Sequence, residues 1–290
     1  MSKPVTIRVI GSINLDIVAS AATLPRAGET ITGATLAYHP GGKGANQALA
    51  AKRLGANVTL WGCVGADGAA DQALVLLREE CVDLSHLHLD KNAPTGVALI
   101  AVAASGENQI VVAPGANQSL TPDLLGDFRQ RKYDATICQL EVPIETVDYV
   151  GAHVEGFFAL NLAPAQKIAH SVLARADLIV VNETEAAFYG ASLHGLNGLL
   201  VVTLGAEGAI MYQDNNTSIS AKPPKVVAVD TTGAGDTFVG ALVLALMEGQ
   251  SHLEALRFAC AAGAAATLTA GAQPSMPDRA NVMRLLEELA

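Results

Sequence analysis

Asp236 closes the run Val229-Asp230-Thr231-Thr232-Gly233-Ala234-Gly235-Asp236, where a β-like stretch gives way to small residues and then to an apolar helix beginning Thr237-Phe238. Amides of Gly233, Ala234 and Gly235 at the positive end of that helix can converge on an anion. A carboxylate inside such an anion hole repels phosphate, so its presence needs a reason. One reading makes Asp236 a helix cap. The other makes it a general base, taking a proton from a hydroxyl while the amides stabilise a transferred phosphoryl group. A second candidate is His39-Pro40-Gly41-Gly42-Lys43-Gly44-Ala45-Asn46-Gln47, followed by an Ala/Leu run ending near Gly55. A Gly-rich loop entering a helix lets a ligand approach bare backbone, with free N–H groups pointing at it. It is no Walker A loop, because Lys43 precedes Gly44 instead of Ser or Thr and Ala37 stands where the first Gly belongs. A tight turn into a helix is the other reading, and Asn46 could face a ligand or solvent. Asn182-Glu183-Thr184-Glu185 is nearly a capping box, or a pair that holds Mg²⁺ through water. Thr203-Leu204-Gly205-Ala206-Glu207-Gly208 reads as a hairpin turn or a second phosphate cradle.

The elements that must position these residues alternate between β-rich and Ala-rich runs. Strands are predicted at 5–10, 57–63, 97–103, 109–113, 135–140, 157–161, 178–182, 199–204, 209–213 and 225–229. Helices are predicted at 44–54, 67–80, 144–153, 166–175, 183–189, 234–248, 251–268 and 279–289. Runs such as Leu178-Ile179-Val180-Val181 are apolar on both faces, as in a parallel sheet covered on both sides. Right-handed βαβ crossovers follow. Two segments, 14–40 and 95–113, break the rhythm. The first carries Pro25, Gly28, Gly33 and the alternating run Glu29-Thr30-Ile31-Thr32; the second reads as a hairpin around Ser105-Gly106-Glu107-Asn108. They are expected to form a small, mostly antiparallel sheet standing off the main one.

Composition excludes other classes. Half of the 290 residues are hydrophobic, which rules out a disordered chain. The net charge of −10 argues against a nucleic-acid binder. The stretch 258–277, without an ionised side chain, is mostly Ala and Gly broken by polar residues, so no membrane span is expected there. The start Met1-Ser2-Lys3-Pro4 leads into a strand pattern and not into a signal-peptide run. Cys63, Cys81, Cys138 and Cys260 are far apart and each sits beside an apolar residue, so they read as buried thiols of a reducing, cytoplasmic compartment. The 51 alanines and 27 glycines imply close packing of helices and close approach of backbone to ligand.

Taken in order, Gly11-Ser12-Ile13-Asn14-Leu15-Asp16, the Gly41–Gln47 loop, Asn182-Glu183-Thr184-Glu185, Thr203-Leu204-Gly205 and Asp230–Phe238 resemble the ribokinase-like (PfkB-type) carbohydrate kinase family over nearly the whole chain. Asn161-Leu162-Ala163-Pro164-Ala165 and Gly271-Ala272-Gln273-Pro274-Ser275 add to the likeness. The resemblance implies one domain over 1–290, a three-layer α/β/α sandwich with a mainly parallel central sheet, and a small β-sheet lid from about 14–40 and 95–113. It implies ATP-dependent phosphorylation of D-ribose at the 5-hydroxyl. Asn14, Asp16, Gly42, Lys43 and Asn46 would bind sugar hydroxyls, with Glu141 near the anomeric end and Ala98, Ile100 and Ile110 as apolar lid contacts. Asp236 would be the base, and Gly233, Ala234 and Gly235 the anion hole. Asn182 and Glu185 would hold water around Mg²⁺. Thr203, Gly205, Gly208, Asn182 and Gly235 would meet the nucleotide. Asp230 and Thr232 would begin a K⁺ site completed by Ala266, Thr269, Gly271 and Ser275. A homodimer through the lid is implied. A kinase of another sugar or of a nucleoside, and a catalytically weak sugar-binding homologue, are the alternatives. The chain departs from the family in a short connection at 183–198, and in Thr269 and Cys260, the latter bearing on the adenine pocket.

Overall fold

The computed structural model describes residues 3–126, 128–129, 131–213 and 217–288. Its strands are β1 (Thr6–Ile10), β2 (Asn14–Ala21), β3 (Thr35–Gly41), β4 (Asn57–Gly65), β5 (Asp83–Asp90), β6 (Gly96–Ala103), β7 (Asn108–Ala113), β8 (Ala135–Cys138), β9 (Phe157–Asn161), β10 (Leu178–Asn182), β11 (Leu199–Thr203), β12 (Ala209–Tyr212) and β13 (Ser218–Ala221). The helices are α1 (Lys43–Arg53), α2 (Gly68–Ala73), α3 (Val75–Glu79), α4 (Ile144–His153), α5 (His170–Arg175), α6 (Glu183–Tyr189), α7 (Ala234–Met247), α8 (His252–Ala266), α9 (Ala272–Ser275) and α10 (Arg279–Glu287).

Nine strands form one sheet in the order β13-β12-β11-β10-β9-β8-β1-β4-β5. From β11 to β5 every pairing is parallel, and β12 and β13 extend the sheet antiparallel. The two-residue period sorts the side chains. In β10, Leu178 and Val180 face a core shared with α1, α7 and α8, while Ile179 and Val181 face a second core with α4 and α5. That is the three-layer sandwich expected from runs apolar on both faces.

The second sheet has the order β3-β2-β6-β7. Its β6–β7 pair is the predicted hairpin, with Gly106 at φ +86° in the turn. Register puts Asp16, His39, Ala98 and Val112 opposite one another, so they share a face with Asn14, Ile100 and Ile110. The other face shows Leu36, Tyr38, Leu99 and Val111, all exposed.

Several expectations need correction. Residues 29–32 are not a strand; the partner of β2 is 35–41, which runs into the Gly-rich loop. Residues 225–229 are not a strand either. Pro223 and Pro224 supply no N–H before them, and the N–H groups of Val229 and Asp230 both go to the Thr267 carbonyl, so no ladder forms. The predicted helix 67–80 is divided at Leu74 into α2 and α3, and the one at 166–175 begins only at His170. The predicted end at Leu289 lies outside the described residues. Cys63, Cys138 and Cys260 are buried, but Cys81 is exposed at φ +54°, because it sits in the turn after α3. All four are free thiols.

The short connection between β10 and β11 consists of α6, a 3₁₀ turn at Gly190–Leu193 and five further residues. It leaves a cleft of ≈750 Å³ lined by Leu193, Leu196, Leu200, Val202 and Tyr212.

Small residues set the spacing of α1 and α7. A Cβ on Gly240 would stand 2.9 Å from the Gln47 carbonyl and 3.1 Å from the Ala51 nitrogen. On Gly263 of α8 the nearest atom would be at 3.3 Å. Gly240→Ala is therefore expected to destabilise by about 1–3 kcal/mol, while Gly263→Ala should be near neutral. Thermal melts of the two variants check this, and equal midpoints would rule out a close approach at Gly240.

Candidate active site

The site lies at the carboxyl ends of β1, β8, β9, β10 and β11, where open α/β sheets bind ligands. After β1 the chain turns through Gly11-Ser12-Ile13 into β2, and the N-terminus of α1 presses against that turn. A Cβ on Gly42, whose φ is +88°, would stand 2.7 Å from the Asn14 nitrogen, and one on Gly44 2.5 Å from the Gly11 carbonyl carbon. Both glycines are thus required by close approach. The contact uses up the first amides of the helix. Lys43 N–H donates to Glu141 Oε2 (3.1 Å), Gly44 N–H to Ser12 Oγ (3.3 Å) and Ala45 N–H to the Ser12 carbonyl (2.9 Å). Of the two readings of this loop, the amides of Lys43, Gly44 and Ala45 follow the tight turn into a helix, capping α1 on Ser12 and Glu141. Ser12 Oγ in turn donates to Glu141 Oε2 at 2.5 Å.

Asp236 is buried at the third position of α7 and accepts from two neighbouring side chains of α1. Asn46 Nδ2 donates to its Oδ2 at 2.9 Å and Gln47 Nε2 to its Oδ1 at 3.0 Å. Asn46 Oδ1 is buried with no partner, an acceptor left for a ligand hydroxyl. Gly233, at φ +78°, turns the chain into α7. The Ala234 amide bonds back to the Thr231 carbonyl at 3.2 Å, so the predicted trio of amides is reduced. Gly233 and Gly235 amides have no acceptor among the described residues, and a Cβ on Gly235 would meet nothing within 4 Å.

Four carboxylates surround one ammonium group. Burial pushes Asp16 up to about 7, and the charges of Glu141 and Asp236 push the same way against Lys43. Burial alone would lower Lys43, but Asp236, Glu141, Glu185 and Asp16 hold it above its ordinary value. Burial also raises Glu185, with Lys43 and the Asn182 N–H pulling back. Asp16 accepts no hydrogen bond among the described residues. Its room comes from Gly41, where a Cβ would lie 2.2 Å from its carboxylate.

Asn182 and Glu185 form a full capping box, at 2.8 Å in both directions. Asn182 lies beside Thr203 in register, and Thr203 Oγ1 donates to the Val181 carbonyl at 3.3 Å. Gly205 (φ +54°) is exposed. Gly208 is buried, and a Cβ there would lie 2.0 Å from the Ala221 carbonyl, so it serves the turn between β11 and β12. Asp230 binds Thr232 N–H and Oγ1 through Oδ1 (2.9 and 2.7 Å) and Gly271 N–H through Oδ2 (2.8 Å). Burial opposes its charge, but these donors and His39 hold it below the usual carboxylate range. The Gly271 loop thereby joins the start of α7. Cys260 donates to the Ala221 carbonyl at 3.6 Å and is buried, with its thiol pushed up to about 12, so it packs against β13.

Sequence reasoning gave no role to four polar residues that organise the site. Asn117 donates to Asn14 Oδ1 (2.7 Å) and accepts from Ile13 N–H (2.8 Å). Gln47, Gln139 and Asn161 are linked behind Asp236. The available signal was a polar residue closing an apolar strand run, as in Ile137-Cys138-Gln139 and Ala159-Leu160-Asn161.

Residues 6–279 match the model of the pfkB family carbohydrate kinases. The chain belongs to the pfkB carbohydrate kinase family. This pfkB-family kinase is 38% identical to a ribokinase of Haemophilus influenzae over 302 residues, covering 97% of this chain and 98% of that one. It is similar to the crystal structure of a Thermotoga maritima ribokinase (TM-score 0.87, 32% identity, 98% and 99% covered). It is equally similar to an Arabidopsis thaliana ribokinase complexed with ribose and ATP (TM-score 0.86, 32% identity, 98% and 99% covered).

The raised Asp16 carboxyl has a consequence for stability. Between about pH 4 and 7 the folded chain keeps a proton that the unfolded chain has lost. Its contribution is complete below that window and lost as pH rises through it. Asp16→Asn is expected to melt a few degrees above the parent at pH 8 without ligand, with the gain shrinking by pH 5. A gain independent of pH would assign it to something other than this carboxyl.

Proposed function

We propose that the chain transfers the γ-phosphoryl group of ATP to the 5-hydroxyl of D-ribose, giving ribose 5-phosphate and ADP. The observation that carries this reading is Asp236, buried beside the unpaired Asn46 oxygen at the open end of α7. Asn14, Asp16, Gly42, Lys43 and Asn46 would hold the sugar hydroxyls, with Glu141 toward the anomeric carbon. Ala98, Ile100 and Ile110 share the face of Asp16 and would cover its apolar side. A site that hydrogen-bonds hydroxyls this densely rejects analogues lacking them.

Asp236 takes the hydroxyl proton as the sugar oxygen bonds to the γ-phosphorus. The bond to the β–γ bridging oxygen breaks, and its electron pair leaves with ADP. The Gly233 and Gly235 amides, with Ala234 between them, would meet the charge on the moving group. Thr203, Gly205 and Asn182 would meet the remaining phosphates. Exposed Val227 (88%) and Val229 (67%) and half-exposed Leu268 (42%) offer an apolar seat for the adenine. The likeness to a ribokinase complexed with ribose and ATP supports both substrates.

Glu185 keeps Oε1 outside the capping box, an acceptor for the outward-pointing hydrogens of a hydrated Mg²⁺, while the free Asn182 Nδ2 is a donor that would meet a phosphate oxygen beside that ion. That ion would neutralise charge on the ATP phosphates. Asp230, held ionised, and the carbonyls of Thr232, Ala266 and Thr269 fit K⁺. None of the three carbonyls accepts an N–H among the described residues, and Ala266 is fully buried. Gly271 and Ser275 would complete the set, adding positive charge behind the anion hole. The second sheet would act as the lid, and its exposed Leu36, Tyr38, Leu99 and Val111 face would join two copies. Four free thiols suit the cytoplasm.

ADP release measured with a panel of pentoses, hexoses and nucleosides tests the substrate. Ribose should give the highest kcat/KM, and turnover of another sugar without ribose would sink the assignment. Asp236→Asn should lower kcat by about 10²–10⁴-fold and leave ribose binding by calorimetry intact. Replacing K⁺ with Na⁺ should reduce the rate; equal rates would remove a selective site.

A further inference from the structure

Behind Asp236 lies a chain of amides that the reaction as described does not use. Gln47 Nε2 donates both to Asp236 Oδ1 and to Asn161 Oδ1, each at 3.0 Å. Gln47 Oε1 accepts from Gln139 Nε2 at 2.6 Å. Asn161 Nδ2 donates to the Val180 carbonyl at 3.1 Å. Gln47 and Gln139 are fully buried, and Asn161 is 8% exposed.

The two ends of this chain leave no freedom in its middle. The Val180 carbonyl can only accept, so Asn161 must turn its NH₂ toward β10 and its oxygen toward Gln47. An ionised Asp236 can only accept, so Gln47 must turn its NH₂ the same way. Its oxygen then faces Gln139, which must donate. Gln139 Oε1 is left without a partner, against Gly11, where a Cβ would stand 1.9 Å from it. A buried acceptor left unpaired costs stability, so its retention points to a function for the arrangement.

We infer that Gln47, oriented by Gln139 and Asn161, is the positioning residue of the catalytic base: it holds one oxygen of Asp236 while Asn46 holds the other. This rests on the reading of Asp236 as the base. Each oxygen accepts one amide and keeps a second lone-pair direction for the sugar proton. Asp16 from β2, Glu185 from α6 and Lys43 of α1 feel the charge of Asp236, and Glu141 after β8 acts on Asp16 and Lys43 in the same cluster.

The test is the pH profile of kcat at saturating ribose and MgATP for Gln47→Met, Gln139→Met and Asp236→Asn. Gln47→Met preserves volume and removes the donor. Its kcat at pH 7 should fall about 10–100-fold, with the KM for ribose changed less than about threefold. The acid limb should move to higher pH, because a carboxylate that loses a donor holds its proton longer. Gln139→Met leaves Asp236 its donor but frees that donor to turn; it should show the same shift in smaller measure, and it decides the matter if Gln47→Met does not fold. A fall by the same factor at every pH, or no fall, would overturn the positioning role. Turnover surviving in Asp236→Asn would remove the base itself. Its loss there, with unshifted limbs in both glutamine variants, would remove the relay alone.

Discussion

A carboxylate taken out of water must be met by donors, and Asp236 is met by two adjacent amides of a helix that reaches it from across the site. Much else is arranged so that this meeting can occur. Helices α1 and α7 must lie close enough for Asn46 and Gln47 to reach, which is why Gly240 faces the α1 backbone. The start of α1 must be pinned, and the Ser12 and Glu141 contacts pin it to the turn after β1. Strands β9 and β10 fix Asn161, and Asn161 fixes Gln47. The sheet therefore acts on Asp236 through side-chain amides at its carboxyl edge.

The same region concentrates negative charge. Asp16, Glu141, Glu185 and Asp236 act on a single Lys43, in a chain already at −10. Such a cluster suits a neutral, hydroxyl-rich ligand, whose donors can satisfy the carboxylates. It does not suit phosphate, which in the proposed reaction would be met at the other side by helix-end amides and bound cations. The proposed division between a carboxylate-rich sugar side and an amide-rich phosphate side follows from this electrostatics, and Asp236 would stand on the boundary.

Much of this was legible in the sequence, for identifiable reasons. Strands apolar on both faces, such as β9 and β10, announced a covered parallel sheet, and small residues before α7 announced a helix end open to a ligand. Strand β5 was missed because Asp83-Leu84-Ser85-His86-Leu87-His88 is an edge: only part of it packs, His86 by stacking on Trp61 at 3.8 Å. The run 225–229 looked like a strand because valines have β propensity whether or not a partner is present. The Gly41–Gln47 loop could be read as presenting free amides to a ligand because spacing shows where amides are and not what already occupies them. Asn117, 103 residues from Asn14, meets it only through the fold.

The short path from β10 to β11 bears on how this molecule could be remodelled. Residues 194–198 lie at the amino end of β11, whereas Asn182 and Thr203, proposed to meet the nucleotide, lie at the carboxyl ends of β10 and β11. An added segment there would start beside Leu196 and Leu200, which line the cleft already present, at the end of β11 away from Thr203. That makes this connection the natural graft point for a reporter or a tethering module, on a scaffold whose chemistry is confined to its opposite rim.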